Sequence, residues 1–334
     1  MIDAQQAWSH LDGLAKPRRS LGRLEALAVQ LATLQGTLKP EVRPRRLVLF
    51  AGDHGVVERG VSAWPSQVTG LMVGTILMGR ATSNALAAAH DCSLRLVDVG
   101  VASPRVVDPP PFFRDARVAD GTQDLSTMPA MTSAQFESAW KVGADEAERA
   151  IADGNRVLIA GEMGIGNTTP AACLTMLFTG ADANTAVGRG AGADDSTLQI
   201  KRSIVTAAVA AARPSRASIE ALSGFEIVAM AGFFASGARL GATLLVDGYV
   251  ATAAALIAEH LQPGSVKRMI AAHRSAEPGH SAALASLGLE PLLDWGMRLG
   301  EGTGALVALP LLDSAAALLR DVAALSELGV ARED

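Results

Sequence analysis

Two glutamates in this chain sit among glycines. Glu162 lies in AGEMGIGNTTPAA (160–172) and Glu301 in MRLGEGTGA (297–305). Flanking glycines let the backbone approach a ligand closely. A carboxylate held there can stabilise a developing positive charge or accept a proton. The first stretch also carries Gly161-x4-Gly166-x-Thr168, the spacing of a P-loop, with Asn167 where a P-loop has lysine. Gly164, Gly166, Asn167 and Thr168 would lead into a helix whose unpaired N–H groups suit an anion. Without the lysine, the loop suits one phosphate better than three. Read for packing alone, the same residues make a tight strand-to-helix turn.

A second glycine cluster, VGRGAGADDSTLQIKRS (187–203), offers Asp194 or Asp195 as a helix cap, with Lys201 about two turns further on. Lys201 could return the missing cation from another segment; taken singly, it is equally a solvated surface lysine. Glu301 also has two readings. It is a helix-start residue favoured by the macrodipole, or a partly desolvated acid with few partners and a raised pKa, suited to act as a base. His54, His273 and His280 lie near acids in DHG, HRSAE and EPGH, but none has the helical spacing of HExxH. No metal and no cofactor is expected. No GxSxG elbow or Cys/His pair points to a covalent nucleophile.

The elements that must position these groups follow from the apolar runs. RLVLFAGDHG (46–55), LRLVDVG (94–100), RVLIAGEMG (156–164) and TLLVDG (243–248) are continuous, as strands buried on both faces should be. Helical periodicity lies between them, over 65–89, 133–153, 170–177, 196–212, 225–238 and 249–260. The alternation predicts an α/β fold with a doubly wound, mostly parallel, Rossmann-like sheet. Ligands of such sheets bind beyond the strands' carboxyl ends, where Asp53, Glu162 and Asp247 should share one edge. Residues 20–36 read as an amphipathic helix capped by Ser20, and 304–328 as a helix that Pro310 should kink or split. The chain ends should pair as a small helical lobe (1–36 plus 283–334) closing the site on a catalytic core (37–282). The Pro-rich segment 106–115 reads as a surface loop.

A chain of 334 residues that is 49% hydrophobic can bury a substantial core. A net charge of −5 with 4% aromatics and a single tyrosine argues against a nucleic-acid or anionic-membrane surface. Cys92 and Cys173 form no CxxC pair, and the N-terminus is polar; a reducing cytoplasm fits. The uncharged window 163–181 carries Asn167, Thr168, Thr169, Pro170 and several glycines, so it reads as a loop and buried helix rather than a membrane span.

Together these stretches resemble the nicotinate-nucleotide–dimethylbenzimidazole phosphoribosyltransferases of cobalamin synthesis. The resemblance runs through GLAKPRRSLGRLE (13–25), AGDHGVVERGVSAWP (51–65), GEMGIGNTTPAA (161–172), VDGYVATAAAL (246–256), HRSAEPG (273–279) and EPLLDWGMRLGEGTGAL (290–306). It implies transfer of phosphoribose from nicotinate mononucleotide to 5,6-dimethylbenzimidazole by a homodimer. Glu301 would be the base, assisted by Glu162 and Lys201. Gly164, Lys201, Ser275 and Gly300 would bind phosphate, and Trp64, Pro65, Met72 and Leu299 would surround the acceptor. Some relatives place small or polar residues at the positions of Trp64 and Met72, and glycine at that of Arg19, which leaves the preferred acceptor open. The alternatives are a related transferase using another base or a phenol, and a non-catalytic nucleotide-binding homologue.

Overall fold

The computed structural model describes residues 2–329; Met1 and 330–334, the last part of the expected C-terminal helical range, lie outside it. Six strands form one sheet: β1 (Arg45–Gly52), β2 (Ser93–Gly100), β3 (Phe113–Asp115), β4 (Val157–Met163), β5 (Thr243–Val246) and β6 (Met269–Ala271). Their order is β3-β2-β1-β4-β5-β6, and every pairing is parallel. The expected fold class holds, and the sheet is wholly parallel among the described residues. Two edge strands escape periodicity because each has three residues. One of them, β3, ends the segment read as a loop: Phe113 pairs with Leu96 of β2.

The helices, in chain order, are α1 (Ala4–Asp12), α2 (Arg23–Gln35), α3 (Gln67–Leu77), α4 (Thr82–Ala89), α5 (Ser133–Ala152), α6 (Thr168–Thr179), α7 (Ala183–Ala186), α8 (Asp195–Val209), α9 (Arg216–Leu222), α10 (Phe225–Arg239), α11 (Tyr249–Leu261), α12 (His280–Leu287) and α13 (Thr303–Asp321). Successive strand residues point to opposite faces, and the core divides accordingly. Val48, Phe50, Leu158, Ala160 and Leu244 face α5, α6 and α8 to α12. Leu47, Leu49, Val157, Ile159 and Leu245 face α1 to α4 and α13. The chain-end helices α1, α2 and α13 thus pack on one another and on the sheet. On the other face α5 and α10 pack backbone to backbone: a Cβ at Gly143 would stand 1.7 Å from the Ala229 carbonyl oxygen, and one at Gly232 2.2 Å from that of Trp140. Phe50 meets Phe233 of α10 edge to face at 5.9 Å, an arrangement worth about 0.5–1.5 kcal/mol beyond area burial.

Three expectations need correction. Gly22, not Ser20, precedes α2, with φ +54° that glycine tolerates. Residues 65–89 form two helices, because the chain turns between Met78 and Ala81 with Gly79 at φ +73°. Helix α13 runs unbroken through Pro310. Burial of Leu306, Leu309, Leu312 and Ala316 against the α2 side holds it despite the lost N–H. This helix is long and apolar enough to cross a membrane by length and composition, but about 61% of its apolar window is buried, as in the core helix of a globular protein.

Strand order reverses between β1 and β4. The chain winds from β1 toward β2 on one side and from β4 toward β5 on the other, so the helices diverge and open a crevice at the carboxyl ends. Phe50 lies in register with Glu162, and Ala51 with Met163. Glu162 therefore enters the crevice from the strand itself.

Candidate active site

A cavity of about 720 Å³ opens at this switch point. Its lining includes Glu162, Gly164, Gly166, Asn167 and Thr168 from the end of β4 and the start of α6. Lys201, Ser275, Gly300 and Glu301 join them from three other segments, and Trp64, Met72 and Leu299 also line it. Pro65 is the exception: it follows Trp64 but does not reach the cavity. Asp247 lines the cavity as expected of a shared strand edge. Asp53 does not, because its carboxylate turns back to accept from the Ala102 N–H at 2.8 Å.

The glycine-rich loop behaves as a close-approach turn. Gly164 passes so near β1 that a Cβ would stand 2.4 Å from the Gly52 carbonyl oxygen. Gly166 turns with φ +88°. The side-chain amide of Asn167 donates to the Glu162 carboxylate. Asp194 caps α8 through the Thr197 N–H at 2.8 Å, which settles the choice between the two aspartates. Two turns later Lys201 Nζ donates to Thr168 Oγ1 at 2.6 Å and to the Gly188 carbonyl at 3.2 Å. A buried ammonium from a second helix thus stands at the first residue of α6, supplying the cation that Asn167 does not. Burial pulls Lys201 down to about 8, against the opposing pull of Glu277 and Cys173.

The second glutamate is presented by backbone geometry. Gly300, Glu301 and Gly302 take φ of +85°, +57° and +71° in succession. Only glycine adopts this region freely, so Glu301 is held in a costly conformation of the kind that clusters at functional sites. The run folds onto Gly161 of β4, where a Cβ would stand 2.6 Å from the Gly302 nitrogen. Contrary to the expectation of few partners, the Glu301 carboxylate accepts from Ser83 Oγ at 2.9 Å and lies 3.4 Å from the Ser83 N–H, at the start of α4. The other glutamate, Glu162, has a raised pKa. Burial pushes it up to about 8, helped by Glu226, Asp247 and Glu301 and opposed by the Asn167 amide.

Around these groups lies a polar shell. His54 Nε2 pairs with Glu226 at 2.9 Å, both buried; burial opposes its charge, but Glu226 and Asp53 outweigh that and raise its pKa. Asp247 accepts from the Ala305 N–H at 2.9 Å, with His273 at 3.7 Å. Burial pushes Asp247 up, against these partners. Among the described residues no three His, Cys, Asp and Glu side chains are disposed to hold a metal ion. Sequence reasoning missed Arg189 and Arg298, which line the cavity and anchor on the same glycine-rich loop. Arg298 donates to the Gly190 carbonyl and Arg189 to that of Ala193. Arg298 lies in the quoted Glu301 segment, where three residues' proximity was the available signal.

The cavity therefore combines apolar side chains suited to a flat ring with cations and glycine-rich backbone. Four carboxylates line it, Glu162, Asp247, Glu277 and Glu301; burial favours the protonated form of Glu162, and a hydroxyl holds Glu301. Such a site can bind a phosphorylated sugar beside a heterocycle, stabilise positive charge at the junction and remove a proton.

The family model described as phosphoribosyltransferase, DBI_PRT, matches residues 3–330. The nicotinate-nucleotide–dimethylbenzimidazole phosphoribosyltransferase of Thermus thermophilus is 44% identical over 330 residues, covering 98% of each chain. That of Chromobacterium violaceum is 46% identical over 321 residues, covering 95% of this chain and 92% of the relative. The crystal structure of CobT from Thermus thermophilus superposes with a TM-score of 0.95 over 99% of both chains, at 44% identity. The chain belongs to the DBI_PRT phosphoribosyltransferase family.

Proposed function

We propose that this enzyme transfers phosphoribose from nicotinate mononucleotide to 5,6-dimethylbenzimidazole, giving α-ribazole 5′-phosphate and nicotinate for the cobalamin lower ligand. The carrying observation is the convergence of Glu162, Glu301 and Lys201 on one cavity that Trp64, Met72, Arg189 and Arg298 also line. The donor phosphate sits among the Gly164–Thr168 turn, Lys201 and Ser275. The donor's glycosidic bond breaks with its electron pair moving to the pyridinium nitrogen, so nicotinate leaves without a general acid. Positive charge grows on the ribose, and ionised Glu162 stabilises it. One benzimidazole nitrogen forms the new bond while the other loses its proton to Glu301. Trp64, Met72 and Leu299 supply the acceptor wall.

Product analysis by mass spectrometry tests this, with nicotinate mononucleotide as donor and a panel of benzimidazoles, adenine and phenols as acceptors. The expected products are nicotinate and the ribotide of dimethylbenzimidazole. A ribotide formed only with another acceptor class would move the substrate assignment, and no nicotinate release with any acceptor would refute it.

The same reading makes the enzyme a homodimer. Leu71 and Met78 in and beside α3 are 69% and 66% exposed, close in sequence to the half-exposed Trp64 at the cavity wall, an apolar surface suited to a second copy. Sedimentation showing a monomer at micromolar concentration would refute this. A cytoplasmic location accords with the free, buried thiols of Cys92 and Cys173.

A further inference from the structure

His280 is fully buried, yet both of its ring nitrogens are engaged. The Ser275 N–H donates to Nδ1 at 2.7 Å. A nitrogen that accepts from an N–H carries no proton, so the proton of the neutral ring is on Nε2. Nε2 lies 2.8 Å from Thr252 Oγ1, and the Thr252 hydroxyl lies 2.9 Å from the Gly248 carbonyl. The donors therefore run in one direction, from Ser275 N–H through His280 and Thr252 to Gly248. Both ends of this chain line the cavity. Gly248 precedes α11, and Ser275 lies in the loop after β6; a Cβ at Gly248 would stand 3.7 Å from Ser275 Cβ.

The consequence for Ser275 is specific. Its N–H is committed to His280, and its Oγ accepts from the Glu277 N–H at 3.3 Å. The hydroxyl proton has no acceptor among the described residues, which leaves it for an oxygen in the cavity. A charged imidazole would carry a proton on Nδ1 and break the first link. Burial, with His273 and Arg274 nearby, holds His280 down to about 3; Tyr249 faces the ring at 6.3 Å.

We propose that His280 is a positioning residue that, through its Nε2-protonated tautomer and Thr252, holds Ser275 against the start of α11 so that the serine hydroxyl meets the donor phosphate. This rests on the phosphate role given to Ser275 above.

Two isosteric variants separate the links. In His280→Asn the amide oxygen stands near the Nδ1 position and still accepts from the Ser275 N–H. In His280→Gln the amide reaches toward the Nε2 position and leaves that N–H unpaired. His280→Gln should raise the KM for nicotinate mononucleotide about tenfold or more, the scale of a lost buried hydrogen bond, with kcat and acceptor KM unchanged. His280→Asn keeps the Ser275 link but loses the one to Thr252, so it should raise that KM by less than His280→Gln does. Equal effects in the two variants, or losses spread over kcat and both substrates, would overturn the proposal. Should either variant fail to fold, nitrogen NMR of the unaltered protein decides: an unprotonated Nδ1 and protonated Nε2 are expected, and the opposite tautomer refutes the chain. Ser275→Ala keeps the two readings apart. If it leaves donor affinity unchanged, the phosphate assignment falls; if it weakens the donor while His280→Gln does not, only the role of His280 falls.

Discussion

Gly300 faces the Glu162 carboxylate so closely that a β-carbon there would stand 2.2 Å from Oε1. A side chain at the residue beside Glu301 would displace the Glu162 carboxylate. Gly300→Ala adds a methyl into that contact at φ +85°, where a non-glycine residue costs about 1–2 kcal/mol. The variant should lose roughly that much stability in urea titrations. Its kcat should fall further than the stability loss suggests, because Glu162 must move. Parent-like kinetics would show that the Glu162 position does not matter to the chemistry.

Glu162 also makes the enzyme pH-sensitive. Its folded pKa of about 8 lies above the unattached value of 4.5. Between these values the folded protein keeps a proton that the unfolded chain has lost. Stability should therefore fall as pH rises from about 4.5 to about 8 and level off above. The kcat/KM for donor should rise toward pH 8 as the carboxylate ionises, then fall as Lys201, held down to about 8, loses its charge. Glu162→Gln should abolish the rising limb and leave the falling one. A rising limb that survives in Glu162→Gln would assign it to another group.

Lys201 is the buried cation at Thr168, 2.6 Å from its hydroxyl. Removing a charged hydrogen bond to phosphate should weaken donor binding by about 1.5–3 kcal/mol. Calorimetry with nicotinate mononucleotide on Lys201→Ala measures this, and unchanged affinity would take Lys201 out of the donor site.

The parts of this site legible in sequence are those whose signal is local. Glycines on both sides of Glu301, and the strand-turn-helix around Glu162, are contiguous patterns that carry their own geometry. Lys201 was legible only as a helical position; its burial comes from α8 packing on α6, which no local pattern records. The Ser83 hydroxyl that holds Glu301 is 218 residues away in the chain, so Glu301 read as short of partners. Glu226 and Asp247, which push Glu162 up, likewise lie far from it in the chain and come together only in the folded protein. Strands β3 and β6 are too short to show a period, and α13 overrides its proline because tertiary burial outweighs one lost N–H.

Trp64 is half exposed on the cavity wall, and its Nε1 donates to the Ala191 carbonyl at 3.2 Å. It thus presents a ring face and also tethers the loop that carries Arg189. Trp64→Phe keeps the ring and drops the tether. If the ring is what the acceptor meets, Trp64→Phe should hold acceptor KM within a few-fold while Trp64→Ala raises it by about tenfold, the scale of a stacking contact. Equal losses in both, or losses shared with the donor, would make Trp64 a loop anchor instead.

Glu301 gives the sharpest test of the chemistry. Its carboxylate is buried, held by Ser83 Oγ at 2.9 Å, and carried on a residue at φ +57°. A residue serving only to start α13 would not need that conformation or that partner. Glu301→Gln keeps the shape and can still meet the Ser83 hydroxyl, but it cannot take the acceptor's proton. A positioned base contributes roughly 10²–10⁴-fold, so kcat should fall by about that factor while donor affinity stays near the parent value. The fall should be smaller with a more acidic acceptor, whose proton leaves more easily. Ser83→Ala should reproduce part of the loss by freeing the carboxylate from its orientation. A Glu301→Gln enzyme turning over at a near-parent rate would move the base to Glu162, whose protonated state at neutral pH would then have to be relieved by the bound donor.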